Sequence, residues 1–298
     1  MLSEETPPYG SAPGPTPAAP SASSQDRASV LDVRKVRTVH LQAAKEAGEK
    51  FAMLTSYDAL TAGLFDAAGV DLLLVGDSAS TNVLGQASTL EITVDQMIPM
   101  VRAVSSAARR ALVVADLPFG SYAQGPAQAI ETAVRFMKEG GAEAVKMEVA
   151  SPAQVPLVAA LAGAGIPVMA HIGFTPQSEH ALGGYRVQGR GGAEALVALA
   201  RQLEEAGAFS LLLEMTKTQV ANLVDEAVSI PVIGIGAGGQ VSGQVLVWQD
   251  AFGLRQGRMA RFVKQYAQLA ETLLAGAADF RADVRSGAYP APEHRFDD

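Results

Sequence analysis

Short apolar runs that end in a charged or polar residue recur along this chain. Five such runs end, in chain order, at Asp77, Asp116, Lys146 with Glu148, His171 and Glu214. A strand that is buried in a parallel sheet reads as a continuous apolar run. The side chains at the carboxyl ends of such strands form the active sites of (β/α)8 barrels. The pattern therefore predicts an enzyme whose polar groups meet at one barrel mouth, and its acidic members favour a metal-dependent one.

Apolar runs and helix-like stretches alternate over most of the chain. We predict strands near 51–55, 71–75, 111–115, 143–147, 167–170, 210–213 and 231–235. We predict helices near 58–68, 93–108, 126–139, 152–163, 192–206 and 217–228. An eighth strand is predicted near 261–263, after a helix around 243–251. This alternation is typical of βαβ units and a parallel sheet. Seven or eight such units favour a (β/α)8 barrel, within the α/β class, over a doubly wound sheet.

The two ends of the chain differ from this alternating region. Residues 1–28 are dominated by Pro, Ala, Ser and Gly, and such a segment cannot bury enough apolar surface to offset its ordering entropy. We therefore predict a disordered tail over 1–28 and one barrel domain over 29–298. A helix is expected over 36–48, and a C-terminal helical segment from about 266 to 285. The glycine-rich stretch 183–192 predicts a mobile loop near the site.

The amino-acid composition excludes several kinds of binding partner and site. The chain has 298 residues, a formal net charge of −8 and no cysteine. The acidic balance argues against nucleic acid and anionic membranes, and the missing cysteine excludes thiolate metal sites and cysteine nucleophiles. No apolar run approaches the roughly 18 residues of a membrane span, and no signal-peptide pattern opens the chain. We expect a cytoplasmic enzyme that acts on a small molecule.

Three acidic residues close successive predicted units. Asp77, Asp116 and Glu148 would bring hard carboxylate oxygens to one barrel mouth, which suits Mg²⁺. A 2-oxo acid could chelate such an ion through its carboxylate and keto oxygens, and the ion would stabilise an enolate. Each acid taken alone could instead be a helix N-cap or a solvated strand end. Their occurrence in three consecutive units favours the metal site.

Three further polar residues are candidates for the chemistry. Lys146 and Glu148 alternate on one strand, so both face the barrel interior or its mouth, and a buried lysine needs a partner. That partner could be a substrate carboxylate, Asp116 or Glu148, and a purely structural ion pair is the alternative. His171 could donate to a substrate oxygen or be a satisfied core histidine. Glu214 follows three leucines, and partial burial would raise its pKa and suit a general base; a salt bridge at the barrel mouth is the alternative.

Six motifs in order resemble the ketopantoate hydroxymethyltransferase family, also called the 3-methyl-2-oxobutanoate hydroxymethyltransferase family. They are 75–78 (VGDS), 115–119 (ADLPF), 145–148 (VKME), 171–178 (HIGFTPQS), 183–191 (GGYRVQGRG) and 231–238 (PVIGIGAG). The resemblance covers about 34–294. It implies a (β/α)8 TIM barrel of the phosphoenolpyruvate-mutase and isocitrate-lyase type that assembles into homo-oligomers, often decamers.

The resemblance also implies an activity. Members of the family transfer a hydroxymethyl group from 5,10-methylenetetrahydrofolate to C3 of 3-methyl-2-oxobutanoate, giving 2-dehydropantoate for pantothenate and coenzyme A. By resemblance, Mg²⁺ is bound by Asp77 and Asp116 directly and by Glu148 directly or through water. The 2-oxo acid lies against Ser78, Lys146 and His171, with Asp77 and Asp116 reaching it through the metal. Glu214 matches the general base at C3, and Lys146 shares in catalysis by holding the enolate charge.

Some residues depart from the family pattern. They are Ala59, Ala79 with Ser80 and Thr81, Gln86 with Ala87, Val149 with Ala150, Thr216 with Lys217, and Ser242. All follow predicted strands, at the presumed active face. A smaller Ala59 could enlarge the pocket, and Lys217 could lower the pKa of the base. These changes suggest, as an alternative, the same aldol-type chemistry on another 2-oxo acid. A carbon–carbon lyase of the same superfamily is a further alternative, although those lyases usually carry a reactive cysteine.

Overall fold

Eight parallel strands close into a barrel in chain order, as the sequence predicted. The computed structural model describes residues 29–184, 187–188 and 193–296. The strands are β1 (Phe51–Thr55), β2 (Leu72–Val75), β3 (Leu112–Asp116), β4 (Ala144–Glu148), β5 (Val168–Gly173), β6 (Ser210–Glu214), β7 (Val232–Ile235) and β8 (Gly243–Leu246). The predicted strands β1 to β7 and the (β/α)8 fold class are thus confirmed.

Helices connect most of the strands. They are α1 (Thr38–Ala47), α2 (Ala59–Ala67), α3 (Ala79–Asn82), α4 (Val94–Ala107), α5 (Pro126–Lys138), α6 (Val155–Gly163), α7 (Glu179–Leu182), α8 (Glu194–Glu205), α9 (Thr218–Ala227), α10 (Trp248–Ala251) and α11 (Leu269–Ser286). Single 3-10 turns occupy Thr89–Glu91, Pro152–Gln154, Pro176–Ser178 and Pro292–His294. The predicted helices after β1 to β6 are all present.

The barrel is apolar at one end and polar at the other. The first residues of β2, β3 and β4, which are Leu72, Leu112 and Ala144, join one buried apolar cluster. Leu41 and Ala44 of α1 belong to the same cluster, so α1 packs at the amino-terminal end of the strands. The last residues of β3, β4 and β6 are acidic. The apolar packing therefore supports the fold from one end and leaves the carboxyl end for chemistry.

The eighth strand is not where the sequence predicted it. β8 is Gly243–Leu246, in a stretch predicted as helix, whereas residues 261–263 form a turn. β8 has only four residues and its burial alternates, so it offers no continuous apolar run. Gly243 lies against the ring of Phe51 in β1, where a Cβ would clash. The close approach of β8 to β1 therefore requires a glycine at position 243. That requirement arises from the tertiary structure and not from the local sequence.

The described residues group into two compact units, and the boundary lies between Val245 and Leu246. The second unit contains α10 and α11, and α11 covers most of the predicted C-terminal helical segment. No residue of α11 is buried. The predicted tail 1–28 lies outside the described residues, as do most residues of the glycine-rich stretch 183–192. Within the described ranges, no helix combines the length and apolar content that crossing a membrane requires.

Candidate active site

The carboxyl ends of five consecutive strands bring the predicted polar residues together. Neighbouring strands pair Asp116 with Lys146, Glu148 with His171, and Gly173 with Glu214. Buried polar residues at this end of the barrel are Asp77, Asp116, Lys146, Glu148 and His171. Ser78, which follows Asp77 after β2, is partly buried. The pairing of β3, β4, β5 and β6 at their carboxyl ends thus places residues that are distant in sequence in one cluster.

Lys146 forms a buried ion pair with Asp116. The distance from Lys146 Nζ to Asp116 Oδ2 is 2.6 Å, and that oxygen also accepts the backbone N–H of Asp77 at 3.1 Å. Burial alone lowers the pKa of Lys146, but the carboxylates of Asp116, Asp77 and Glu148 outweigh it and raise the pKa above its usual value. Lys146 is therefore an ammonium group. Of the predicted partners, the structure selects Asp116.

The acids outnumber the one cation beside them. Burial raises the pKa of Asp77 well above its usual range, and the Asp116 carboxylate raises it further. Burial likewise raises the pKa of Glu148, while Lys146 opposes the shift. Asp116 Oδ1 and Glu148 Oε1 are buried without a hydrogen-bond partner. Three carboxyl groups around one ammonium leave an excess of negative charge that calls for a further cation or protons.

The residues present fit a hard divalent cation by their chemistry. Asp77, Asp116 and Glu148 offer oxygen atoms only, and two of those oxygens have no partner. Oxygen donors are what Mg²⁺ takes in proteins. Among the described residues, no group of three or more His, Cys, Asp or Glu side chains is arranged so that it could hold a metal ion as it stands. The carboxyl groups would therefore have to move for an ion to bind here.

His171 lies between two carboxyl groups. Its Nδ1 is 3.5 Å from Glu148 Oε1, and its Nε2 is 3.5 Å from Glu214 Oε2. Both ring nitrogens are buried and make no hydrogen bond of good geometry. Burial lowers the pKa of His171 well below its usual value, and the Lys146 ammonium lowers it further. The ring is thus neutral and has one N–H to donate.

Glu214 ends β6 at the edge of this cluster. Its side chain keeps 17% of its surface exposed, and burial, followed by repulsion from Glu148, raises its pKa to about 8. The predicted rise is confirmed. Lys217 is exposed at the N-cap of α9, and the charge that lowers the pKa of Glu214 most is that of Lys146. Within the described part of the chain, His171 is the only basic side chain within 4 Å of the Glu214 carboxyl group. Because the His171 ring is neutral, this contact is not a salt bridge, and the alternative of a salt bridge at the barrel mouth does not hold.

The backbone around Glu214 is tightly constrained. Met215 adopts φ 44°, in the left-handed region that non-glycine residues rarely occupy. Such a conformation costs about 1–3 kcal/mol and persists where the surroundings enforce it. At Gly173 on β5, φ is 92° and an added Cβ would lie 2.5 Å from the backbone oxygen of Glu214. β5 and β6 therefore hold the backbone of Glu214 in one position.

Three residues of the site were not assigned a role from the sequence. Tyr57 OH lies 2.8 Å from Ser78 Oγ, and burial raises the pKa of Tyr57 to about 12, so it keeps its proton. Gln177 contacts Asp77 and Glu148, and Tyr122 donates to Gln177 at 2.6 Å. These side chains are uncharged at neutral pH, so none of them stood out as a charged group at the end of an apolar run. Only Gln177 lies within one of the six motifs, 171–178, and that position is the one signal that could have drawn attention to it.

Two of the departures from the family pattern have a clear placement. Ala59 is exposed in the first turn of α2, so its small side chain does not enlarge a buried pocket. Val149 is buried, and its backbone N–H donates to the carbonyl oxygen of His171 at 2.8 Å. Val149 thus extends the pairing of β4 with β5 and keeps Glu148 and His171 side by side.

Comparison with known proteins identifies relatives along nearly the whole chain. The model of the ketopantoate hydroxymethyltransferase family matches residues 35–292. A 3-methyl-2-oxobutanoate hydroxymethyltransferase of Nocardioides sp. is 58% identical over 99% of this chain and 98% of its own length. Its counterpart in Paenarthrobacter aurescens is 57% identical over 97% and 94%, and that of Corynebacterium glutamicum is 52% identical over 89% and 99%.

Solved structures share the fold at low sequence identity. A phosphonopyruvate hydrolase in complex with oxalate and Mg²⁺ superposes with a TM-score of 0.56 at 17% identity, covering 87% of this chain and 93% of that one. A 2,3-dimethylmalate lyase of the phosphoenolpyruvate mutase and isocitrate lyase superfamily gives 0.55 at 19% identity, covering 86% and 92%. These likenesses show that the barrel fold is shared with both proteins.

Proposed function

Because this chain belongs to the ketopantoate hydroxymethyltransferase family, we propose that it adds a hydroxymethyl group to C3 of 3-methyl-2-oxobutanoate and forms 2-dehydropantoate. One observation carries the proposal most strongly. Glu214, whose pKa is raised to about 8, stands beside a buried cluster that contains an ammonium group and an excess of carboxylates. Such a site combines a proton acceptor with charges that can hold an oxyanion. The product would supply pantothenate and coenzyme A biosynthesis.

Proton removal at C3 would fall to Glu214. A carboxylate with a pKa near 8 is a stronger base than an ordinary glutamate and is still partly ionised at neutral pH. Its 17% exposure leaves the carboxyl group accessible from the barrel mouth. As the proton leaves C3, negative charge develops on the keto oxygen of the substrate. The Lys146 ammonium would stabilise that charge, and the N–H of the neutral His171 would donate to it.

The substrate's own carboxylate would be bound by neutral donors and by Lys146. Ser78 carries a hydroxyl group at the carboxyl end of β2, and Tyr57 fixes its position through a contact of 2.8 Å. Asp77 and Asp116 face the same space and would repel a free carboxylate. A cation between these acids and the substrate removes that repulsion.

A divalent cation, with Mg²⁺ the best match for oxygen donors, would be held by Asp77, Asp116 and Glu148. The unpartnered oxygens of Asp116 and Glu148 are the clearest support for this assignment. When bound, such an ion supplies Lewis-acid polarisation of the keto group. Because Lys146 already offsets the charge of one carboxyl group, the bound ion would have fewer negative charges to offset.

The hydroxymethyl donor in this proposal is 5,10-methylenetetrahydrofolate, as in the family. A bond forms between C3 of the deprotonated 2-oxo acid and the methylene carbon, and both bonds from that carbon to the two folate nitrogens break. Water provides the hydroxyl group. The proton taken from C3 and the remaining proton of that water end on the two nitrogens of the departing tetrahydrofolate. No observation in the described structure favours a different 2-oxo acid or a lyase reaction over this one.

The reaction is testable in two stages. In heavy water with Mg²⁺ and no folate, we expect the protein to exchange the C3 proton of 3-methyl-2-oxobutanoate, measured by NMR, and EDTA to stop the exchange. Adding the folate donor should then produce 2-dehydropantoate. If only another 2-oxo acid exchanges its proton, the substrate assignment is wrong, but the reaction type is still supported. If neither exchange nor product appears with the donor present, the proposal is wrong.

We also propose that the chain acts as a homo-oligomer. Leu273, Phe280 and Val284 lie on one side of α11 at helical spacing, with exposures of 59%, 59% and 48%. An apolar stripe on a helix without any buried residue is stabilised by a partner, and a second copy of this chain is the partner proposed.

The oligomer has a direct measurement. Light scattering after size exclusion should give a mass several times the 30.9 kDa of one chain. Leu273→Glu with Phe280→Glu is expected to shift the mass toward the monomer, because buried charges disfavour an interface. Arg281→Glu on the same helix is the control, since it changes charge and keeps the apolar stripe. A wild-type mass of one chain would refute the oligomer, and an unchanged mass in the double variant would refute the role of α11.

A further inference from the structure

Gln177 joins the ends of four neighbouring strands through one side chain and one backbone group. It lies in the 3-10 turn Pro176–Ser178 after β5 and is 6% exposed. Its backbone N–H donates to Glu148 Oε2 at 2.9 Å. Its side-chain nitrogen donates to Asp77 Oδ2 and to the carbonyl oxygen of Leu117, both at 3.0 Å. Its side-chain oxygen accepts the hydroxyl of Tyr122 at 2.6 Å.

The orientation of this amide is fixed by its neighbours. The Leu117 carbonyl is an acceptor only, so the side-chain nitrogen of Gln177 must face it, and the second N–H of that nitrogen then faces Asp77 Oδ2. The amide oxygen must then face Tyr122, which has a hydroxyl proton to give. Every donor and acceptor of the side chain is used. A buried group that is fully satisfied in this way has one stable arrangement.

The neutrality of Gln177 matters for the acids that it holds. Asp77 and Glu148 lie in a cluster of three buried acidic side chains that contains a single ammonium group, that of Lys146. A lysine or arginine in place of Gln177 would also hold them, but would cancel the negative charge that attracts a cation. An amide donates hydrogen bonds and adds no net charge. Gln177 thus holds the two acids in place without adding a positive charge, whereas Asp116 is paired with the ammonium group of Lys146.

We propose that Gln177 is a positioning residue for the acidic centre. Its side chain orients the carboxylate of Asp77, its backbone orients that of Glu148, and the pair is thereby preorganised for a divalent cation. The inference rests on the proposed function, because it assigns to Asp77 and Glu148 the cation that the function requires. Groups that orient the ligands of a metal typically change its affinity by about 10- to 100-fold when they are removed.

The test compares Mg²⁺ binding by three variants with that by the wild type, using calorimetry without substrate. Gln177→Met keeps the size of the side chain and the backbone bond to Glu148, but removes the bond to Asp77. We expect Mg²⁺ to bind about 10- to 100-fold more weakly. Gln154→Leu is the matched control, because Gln154 occupies the equivalent turn after β4 and its side-chain oxygen accepts the backbone N–H groups of Ala150 and Ser151. Its affinity should equal that of the wild type.

Tyr122→Phe separates positioning from general loosening of the site. This change removes the bond to the amide oxygen of Gln177 and a longer one, of 3.4 Å, to the backbone carbonyl oxygen of Glu148. It leaves both bonds from Gln177 to the carboxyl groups of Asp77 and Glu148. Mg²⁺ affinity should therefore stay within about twofold of the wild type, well below the loss of about 10- to 100-fold expected when an orienting group is removed. Equal weakening in Tyr122→Phe and Gln177→Met would overturn the proposal. If Gln177→Met does not fold, Gln177→Asn, which retracts the amide by one methylene, replaces it.

Kinetics give a second readout. In the proton-exchange assay, Gln177→Met should raise the Mg²⁺ concentration at half-maximal rate, and saturating Mg²⁺ should restore most of the maximal rate. If the wild type binds Mg²⁺ and Gln177→Met binds it equally well, the role of Gln177 is refuted and the proposed function is unaffected. A wild type that neither binds Mg²⁺ nor responds to it would refute the metal assignment and this inference together.

Discussion

Replacing Glu214 by glutamine is expected to slow C3 proton exchange by about 10²- to 10⁴-fold, the usual contribution of a positioned general base. Glutamine keeps the size and the hydrogen-bonding capacity of the side chain, but it cannot accept the proton. The effect should appear in the maximal rate, while the binding of Mg²⁺ changes little. Exchange followed by NMR in heavy water measures it directly. Glu205→Gln, at the exposed end of α8, is the control and should leave the rate unchanged.

The same experiment has a pH dependence whose sign is set by the shifted pKa. Glu214 accepts a proton only when ionised, and burial raises its pKa to about 8. The rate of exchange should therefore rise as pH increases through that value. A bound cation favours ionised carboxyl groups and moves the inflection to lower pH. A profile that falls over this range, or a Glu214→Gln variant of normal rate, would show that another group is the base.

Lys146→Met is expected to be the most destabilising single change in the site, at about 3–5 kcal/mol, because it leaves buried carboxyl groups without their counterion. The side chains of Lys146 and Asp116 are 5% and 1% exposed, so solvent cannot replace the lost partner. Exchange should also fall, since the oxyanion loses its nearest positive charge. The free energy of unfolding, measured with denaturant, tests the prediction. Lys138→Met, an exposed position at the end of α5, should change it little.

The loss in Lys146→Met should depend on pH and on Asp116. Asp77 and Glu148 already have raised pKa values, and removing the ammonium raises them further. A group whose pKa is raised on folding stabilises the fold below its unfolded pKa and loses that contribution as pH rises through its folded pKa. The destabilisation should therefore shrink at acid pH. Adding Asp116→Asn should restore part of the stability and none of the activity. An additive double variant would contradict a direct ion pair.

The positions of the strands followed from local sequence where burial is continuous. β2, β3 and β4 are buried at every residue and were predicted closely. β8 was missed because it is short and alternates in burial, so that its four residues carry too little pattern to distinguish a strand from a helix. Its place in the sheet depends on the close contact of Gly243 with Phe51, nearly two hundred residues away in the chain. A local pattern cannot encode such a contact.

The sequence by itself determined which residues are candidates for chemistry, because charged groups that end apolar runs must emerge at one end of a parallel barrel. Only the tertiary structure decided how those groups are partnered. It paired Lys146 with Asp116 and set neutral His171 between Glu148 and Glu214. It also joined Gln177 to Asp77 across 100 positions of the chain. Ionisation and orientation depend on burial and on neighbours within a few ångströms, and those neighbours are brought together only when the barrel closes.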